Sequence, residues 1–262
     1  MLSSLSPARR RLVQAVVLGV LVAVVAVVAV AAVRARRDQV RPVAQGTPGP
    51  VLLVSGYGGS VSSLDPLRAA LSSAGRDVVV VPAVGAGTGD LRTQAEALDR
   101  AATAAETRFG ASSVDVVGYS AGGVVAREWV RDLGGASVAR RVLSVGSPHH
   151  GTSVAELAAG VAGSCTTACT QLEPDSELLR ALNAGDETPR GPAFVSVWST
   201  SDRTVVPADS ARLAGALDFT VQSVCPQART SHGGLPADPV VLAALASTLG
   251  SAAPRPPTGV HC

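Results

Sequence analysis

The sequence predicts an α/β fold: one sheet of about six mainly parallel strands, covered by helices on both faces and carrying a short lid-like insertion. Three observations lead there. From residue 51 onward, short apolar runs such as Val51-Leu52-Leu53-Val54 alternate with longer segments of helical period. Strands that alternate with helices pair in parallel, because each crossover returns the chain to the same end of the sheet. Gly- and Ser-rich stretches come after several of the apolar runs, as expected where strands end in tight turns. Finally, 262 residues provide for one sizeable domain with appendages.

The elements run in this order. Residues 12–33 are an uninterrupted run of 22 residues without charge, bracketed by Arg9, Arg10 and Arg11 before it and Arg34, Arg36 and Arg37 after it. About 20 apolar residues cross a bilayer as a helix, whereas the apolar core of a secretory signal is roughly 7–15 residues long. Residues 1–37 therefore read as an Arg-rich cytoplasmic N-terminus and a transmembrane signal anchor. A cleaved export signal is the alternative, with Ala29-Val30-Ala31 as its cleavage site. Residues 38–50 lack periodicity and end in Gly46-Thr47-Pro48-Gly49-Pro50, the composition of a flexible linker.

The domain proper is expected over residues 51–250. Strands are predicted near 51–54 and at 77–81, 114–117, 141–145, 193–198 and 219–223, and helices at 64–73, 91–109, 121–133, 208–217 and 240–249. Between the fourth and fifth strands, residues 151–192 form the insertion, with helical patterns at 154–161 and 175–182. The Pro-rich tail, 251–262, is expected to be extended.

Charge narrows the functional classes. All 22 basic residues are arginine, and the formal net charge is +2. The first 49 residues hold seven Arg and one Asp, giving +6, which leaves 15 Arg against 19 acids, or −4, for the rest. A folded part of that balance does not bind nucleic acid through a basic surface.

Gly118-Tyr119-Ser120-Ala121-Gly122 joins the third predicted strand to the helix after it. A serine on a sharp, strained strand-to-helix turn has its hydroxyl exposed above the sheet, and flanking glycines let backbone segments approach closely. Ser120 is thus the candidate nucleophile. Such an elbow predicts an acid and then a histidine later in the chain. Asp202 lies just beyond the carboxyl end of the strand at 193–198, and His232 lies in the loop between the last strand and the last helix. Asp209 and Asp218 suit the acid less well, being in a helical pattern and at the start of a strand. His149 and His150 precede every candidate acid, and His261 is in the tail; the first two read as a loop pair bonding to backbone near the site. Upstream, Ser55-Gly56-Tyr57-Gly58-Gly59-Ser60 is a Gly-rich turn that can aim backbone N–H groups at a developing oxyanion.

On these motifs the chain resembles an α/β-hydrolase of the lipase and esterase group, over residues 50–249. Val54-Ser55-Gly56-Tyr57-Gly58-Gly59 is similar to the family's oxyanion loop, V-H-G-x-G-G, with Ser55 in place of the histidine. Ser147-Pro148-His149-His150-Gly151-Thr152 is similar to the P-H-x-G segment of many lipases. The resemblance implies a Ser120-His232-Asp202 triad, an oxyanion hole made of the Tyr57 and Ala121 backbone N–H groups, and acyl transfer from an ester to water. It requires no metal or organic cofactor. An acyltransferase on the same triad, and a catalytically silent membrane-anchored scaffold, are the rival readings. The resemblance also places a cap over residues 151–192, where Val154, Leu157, Val161, Leu172, Leu178 and Leu179 would offer an apolar surface; a plain surface insertion without a role is the alternative. Lipid or medium-chain acyl esters would be favoured by it.

Cys165, Cys169, Cys225 and Cys262 all lie beyond the apolar run. Four cysteines allow three pairings. Cys165–Cys169 as a local clip and Cys225–Cys262 as a staple for the tail are favoured, because the first two are close in sequence and the tail otherwise lacks an anchor. A zinc site is the rival, yet the C-x-x-x-C pair has no histidine at ligand spacing. Disulfides belong to an oxidising compartment, so the catalytic domain is expected outside the cytoplasmic membrane.

Overall fold

The structure, a computed structural model, describes residues 7–38, 40–153 and 165–262. The helical pattern expected at 154–161, with Val154, Leu157 and Val161, lies outside the described residues. The chain divides into two compact units, one ending at Val40 and one starting at Arg41. The first contains the helix α1 (Pro7–Asp38). Its stretch Arg11–Val30 has a mean hydropathy of 2.9. At 1.5 Å per residue those 20 residues reach about 30 Å, the thickness of a bilayer's hydrocarbon core. By length and composition α1 is able to cross a membrane.

The second unit is built on six parallel strands: β1 (Val51–Val54), β2 (Val78–Val80), β3 (Val114–Tyr119), β4 (Ala139–Val145), β5 (Ala193–Trp198) and β6 (Leu217–Thr220). Their order across the sheet is β2-β1-β3-β4-β5-β6, all neighbours parallel. The chain thus starts inside the sheet, steps out to β2, returns beside β1 and then proceeds to the other edge. Crossovers leave in opposite directions from β1 and β3, which opens a crevice at the carboxyl ends of those two strands. The Gly-rich loop and the elbow both lie there.

Alternation along the strands decides which helices cover which face. Leu52, Val54, Val116 and Val142 point into one apolar cluster, with α3 (Leu91–Phe109) and α4 (Ala121–Asp132). Val51, Leu53, Val117 and Leu143 point into the other, with α2 (Asp65–Ser73) and the closing helix, Pro239–Leu249. Trp129 ties α4 to α3: its ring is fully buried and its Nε1–H donates to Asp99 Oδ1 at 2.9 Å. In the insertion, α5 (Thr167–Gln171) and α6 (Glu177–Asn183) are short. After β6 comes the single turn α7 (Val221–Val224), so the closing helix is α8.

Most expected elements form, with three differences. The helix expected at 208–217 is only a 3₁₀ turn, Ala208–Ala211. An α-helix there would need the carbonyls of Ser210 and Ala211, but these accept from His150 N and Ser196 Oγ, while Ala214 N donates to Glu187 Oε2. Gly215, at φ +85°, then turns the chain into β6. The last strand therefore runs 217–220 rather than 219–223. It stops because Thr220 Oγ1 accepts from Ser223 N and caps α7.

The third difference is the stretch expected to be a flexible linker, whose last part is held against the domain. Asp115, Arg140 and Arg141 are buried at the amino ends of β3 and β4. Asp115 accepts from Arg140 at 2.5 Å and from Arg76 at 2.7 Å. The guanidinium groups also donate to the carbonyls of Gln45 and Gly49, and on the far end of the chain to those of Leu249, Gly250 and Ala252. Buried charges persist only when paired and hydrogen-bonded, and here the partners are the two segments flanking the sheet. Cys225–Cys262, with Cα atoms 5.6 Å apart, fastens the tail a second time.

Candidate active site

Ser120 comes directly after β3 and has φ 53° and ψ −125°, outside the comfortable range of a residue with a Cβ. The sheet and helix hold it there: Ser120 N donates to Val145 O at 2.9 Å, and α4 begins at Ala121. The flanking glycine is required by close approach, since a Cβ on Gly122 would lie 2.3 Å from Val54 O. On the other side a Cβ on Gly56 would lie 2.9 Å from Ser120 Cβ. The loop after β1 therefore runs against the serine, with the Tyr57 amide next in chain. The Ala121 amide heads α4, where unpaired N–H groups and the helix dipole favour negative charge.

His232 opens a 3₁₀ turn, His232–Ala237. Its Nε2 lies 2.9 Å from Ser120 Oγ and its Nδ1 2.6 Å from Asp202 Oδ2. All three side chains are largely buried. Asp202 is fixed by its other oxygen, Oδ1, which accepts from Thr204 N at 2.8 Å and Val205 N at 2.9 Å. The loop bearing it is pinned from the segment after β4: Thr152 Oγ1 donates to Thr204 O and accepts from Val206 N. Of the rival acids, Asp218 accepts from Trp198 Nε1 at 2.8 Å and Asp209 is exposed.

Two neighbours of the triad carry signals that sequence reading did not use. Tyr119 stacks on the His232 ring, centroids 5.2 Å apart, and its hydroxyl donates to His232 O at 3.2 Å. Burial, and then the charge of Asp202, push its phenol up to about 12, so it stays a neutral donor. Thr152 belongs to a segment whose family likeness is visible, but its bonds cross 52 and 54 residues of sequence and no local pattern announces them. The tyrosine's position inside the elbow is the one available hint.

His149 and His150 sit apart from the reacting atoms. His149 is fully buried with Nε2 2.9 Å from Ser144 Oγ, and Ser144 Oγ itself donates to Val195 O. That leaves His149 Nε2–H as the donor. Burial first, then the charges of Arg127 and His150, hold its pKa well below the usual histidine value. His150 Nδ1 lies 3.3 Å from Ser210 O and its Nε2 3.0 Å from Glu187 Oε1. Only His150 bonds a backbone carbonyl through its ring, so the expected pattern holds for one of the pair. Among the described residues no group of three or more His, Cys, Asp or Glu side chains is arranged to hold a metal ion.

Cys165 and Cys169 are joined, with Cα atoms 5.3 Å apart. Leu172 and Leu179 of the expected apolar lid face are buried in the protein's own core, and Leu178 packs against it. Leu172 and Leu179 are therefore not free to line a pocket, whereas half-buried Leu178 lines a cavity beside Arg92 and Glu128.

A strained serine at the switch point of a parallel sheet, backed by histidine and carboxylate from later strand ends, defines the α/β-hydrolases. Comparison with known proteins agrees. The family model described as Lipase (class 2) matches residues 100–222, a span that includes Ser120 and Asp202. Aspergillus fumigatus lipase B is similar in structure at 21% identity and a TM-score of 0.67, over 81% of this chain and 55% of that one. The mature form of Bacillus licheniformis lipase BlEst2 is similar at 16% identity and a TM-score of 0.64, over 80% of this chain and 94% of that one. This chain thus spans about half the length of the first relative and nearly all of the second. No curated protein matches it. The chain has the fold of these lipases, and over residues 100–222 it is similar to the Lipase (class 2) family.

Proposed function

We propose that the protein hydrolyses carboxylic esters through an acyl-enzyme on Ser120, with His232 as general base and Asp202 as its orienting acid. The observation that carries this reading is the continuous chain Ser120 Oγ, His232 Nε2, His232 Nδ1 and Asp202 Oδ2, with links of 2.9 and 2.6 Å. His232 takes the Ser120 proton as Oγ bonds to the ester carbonyl carbon. The carbonyl oxygen, now negative, is met by the amides of Ala121 and Tyr57, each worth on the order of 3 kcal/mol in the transition state. The protonated imidazole gives its proton to the departing alkoxide. Water then attacks the acyl group, with His232 again as base, and frees Ser120. Asp202 stays ionised throughout and fixes the imidazole tautomer.

Lipid or medium-chain acyl esters are the substrates of this reading, supported by the Lipase (class 2) match. The apolar helix and the two disulfides point to a protein outside the cytoplasm, secreted or anchored. In the anchored form α1 stays in the cytoplasmic membrane and the catalytic domain faces out. Hydrolysis of 4-nitrophenyl esters of increasing acyl length tests the activity and the chain preference together. Turnover peaking beyond acetate and abolished in Ser120→Ala is the expected result; a maximum at acetate contradicts the preference, and activity surviving in Ser120→Ala contradicts the nucleophile.

A further inference from the structure

The insertion is fastened to the loop that bears the Tyr57 oxyanion donor. Tyr57 Oη lies 2.9 Å from Thr166 Oγ1, across 109 residues of sequence. Thr166 occupies the N-cap of α5, where a threonine hydroxyl ordinarily accepts from an amide of the first turn. Here it makes no such bond, and its oxygen is turned to Tyr57 instead. Two further bonds hold the same segment: Ala168 N donates to Thr88 O at 3.2 Å, and Gln171 Oε1 accepts from Leu91 N at 2.8 Å. The loop around Thr88 in turn braces the oxyanion loop, since Gly58 N donates to Gly87 O at 3.2 Å. Cys165 and Cys169 pack in the same apolar cluster as Tyr57. With five residues, α5 is too short to persist alone, and the Cys165–Cys169 bond ties Cys169 within it to Cys165, which precedes its N-cap Thr166.

We infer that Thr166 and the Tyr57 hydroxyl are positioning residues for the oxyanion hole, held in place by the Cys165–Cys169 clip. The inference rests on the hydrolase reading above. A tyrosine fixed at its tip leaves its own amide little freedom, and that amide meets the substrate oxygen only once charge has developed there. Loosening it removes an interaction made in the transition state, which lowers kcat and leaves KM in place. It also makes full turnover depend on oxidation of the clip, so the enzyme matures only in the oxidising compartment.

The test uses full-length protein in detergent with a 4-nitrophenyl ester. Tyr57→Phe, Thr166→Val and the paired Cys165→Ser/Cys169→Ser variant should each lower kcat roughly tenfold, a fraction of what a wholly lost donor costs, with KM within about twofold. Thr166→Ser should restore kcat. Tyr57→Phe combined with Thr166→Val should be no worse than either alone, because both remove one bond. Cys225→Ser/Cys262→Ser should lower the melting temperature without the loss in kcat. Thr166→Val and Tyr57→Phe at wild-type kcat overturn the inference, as does a loss that Thr166→Ser fails to restore. A wild-type protein that hydrolyses no ester of the panel defeats the hydrolase reading instead, a separate result.

Discussion

Replacing Asp202 by asparagine isolates the one function the carboxylate serves in the proposed triad. Asp202 Oδ1 accepts from two amides, Thr204 N and Val205 N, while Oδ2 faces His232 Nδ1. An asparagine must keep its carbonyl oxygen toward the two amides, since turning its NH₂ there would set donors against donors. The NH₂ then faces His232 Nδ1, which has to become an acceptor. The imidazole proton moves to Nε2 and points at Ser120 Oγ, so the ring can no longer receive the serine proton. Loss of the correct tautomer in Ser-His-Asp triads costs about 10⁴ in kcat, roughly 5.4 kcal/mol in the barrier. Folding should suffer far less, by about 2 kcal/mol or below, because both amides keep their acceptor and lose only its charge. Steady-state ester hydrolysis and a thermal melt on the same preparation measure both. An Asp202→Asn protein within tenfold of wild-type kcat, or an Asp209→Asn protein that loses activity in its place, refutes the reasoning.

The geometry carries two more expected outcomes. His149 is buried neutral with its pKa depressed, so below the usual histidine value near 6.5 the unfolded chain binds a proton that the folded one refuses. Stability from this residue is complete above that pH and falls on acidification, by up to about 1.4 kcal/mol per pH unit; chemical denaturation between pH 7 and 5 should show the slope, and His149→Asn should reduce it by that amount. Gly122→Ala would set a Cβ 2.3 Å from Val54 O and should destabilise by about 3 kcal/mol, whereas Gly46→Ala, with nothing within 4 Å, should change the denaturation midpoint little.

The strand ends of a parallel sheet were the legible part of this sequence. Ser120 and Asp202 each sit just past an apolar strand, His232 lies in the loop between the last strand and the last helix, and a parallel sheet gathers the carboxyl ends of all its strands at one edge. The elbow was readable because the spacing of its glycines is short and fixed: Gly118 is needed against Gly122 within the turn, and Gly122 against Val54 of the neighbouring strand. Features that escaped reading depend on partners distant in sequence. Residues 208–217 carry a helical pattern, yet their carbonyls are taken by His150 and Ser196. Arg140 and Arg141 look like a charged strand end and are instead fully buried, because Asp115 and the carbonyls of both flanking segments surround them. Thr166 is an ordinary polar residue until Tyr57 is placed beside it.

An activated Ser120 is the central requirement of the proposed mechanism, and a fluorophosphonate probe reports it without knowledge of the substrate. The phosphorus bonds to Oγ as fluoride leaves, and the rate depends on the same base and oxyanion donors as ester cleavage. Labelling of the folded protein should reach one probe per chain, map to Ser120 by peptide mass, and vanish in Ser120→Ala. It should be strongly slowed in His232→Ala. Folded wild-type protein that takes up no probe, or takes it up at another serine, would contradict the account.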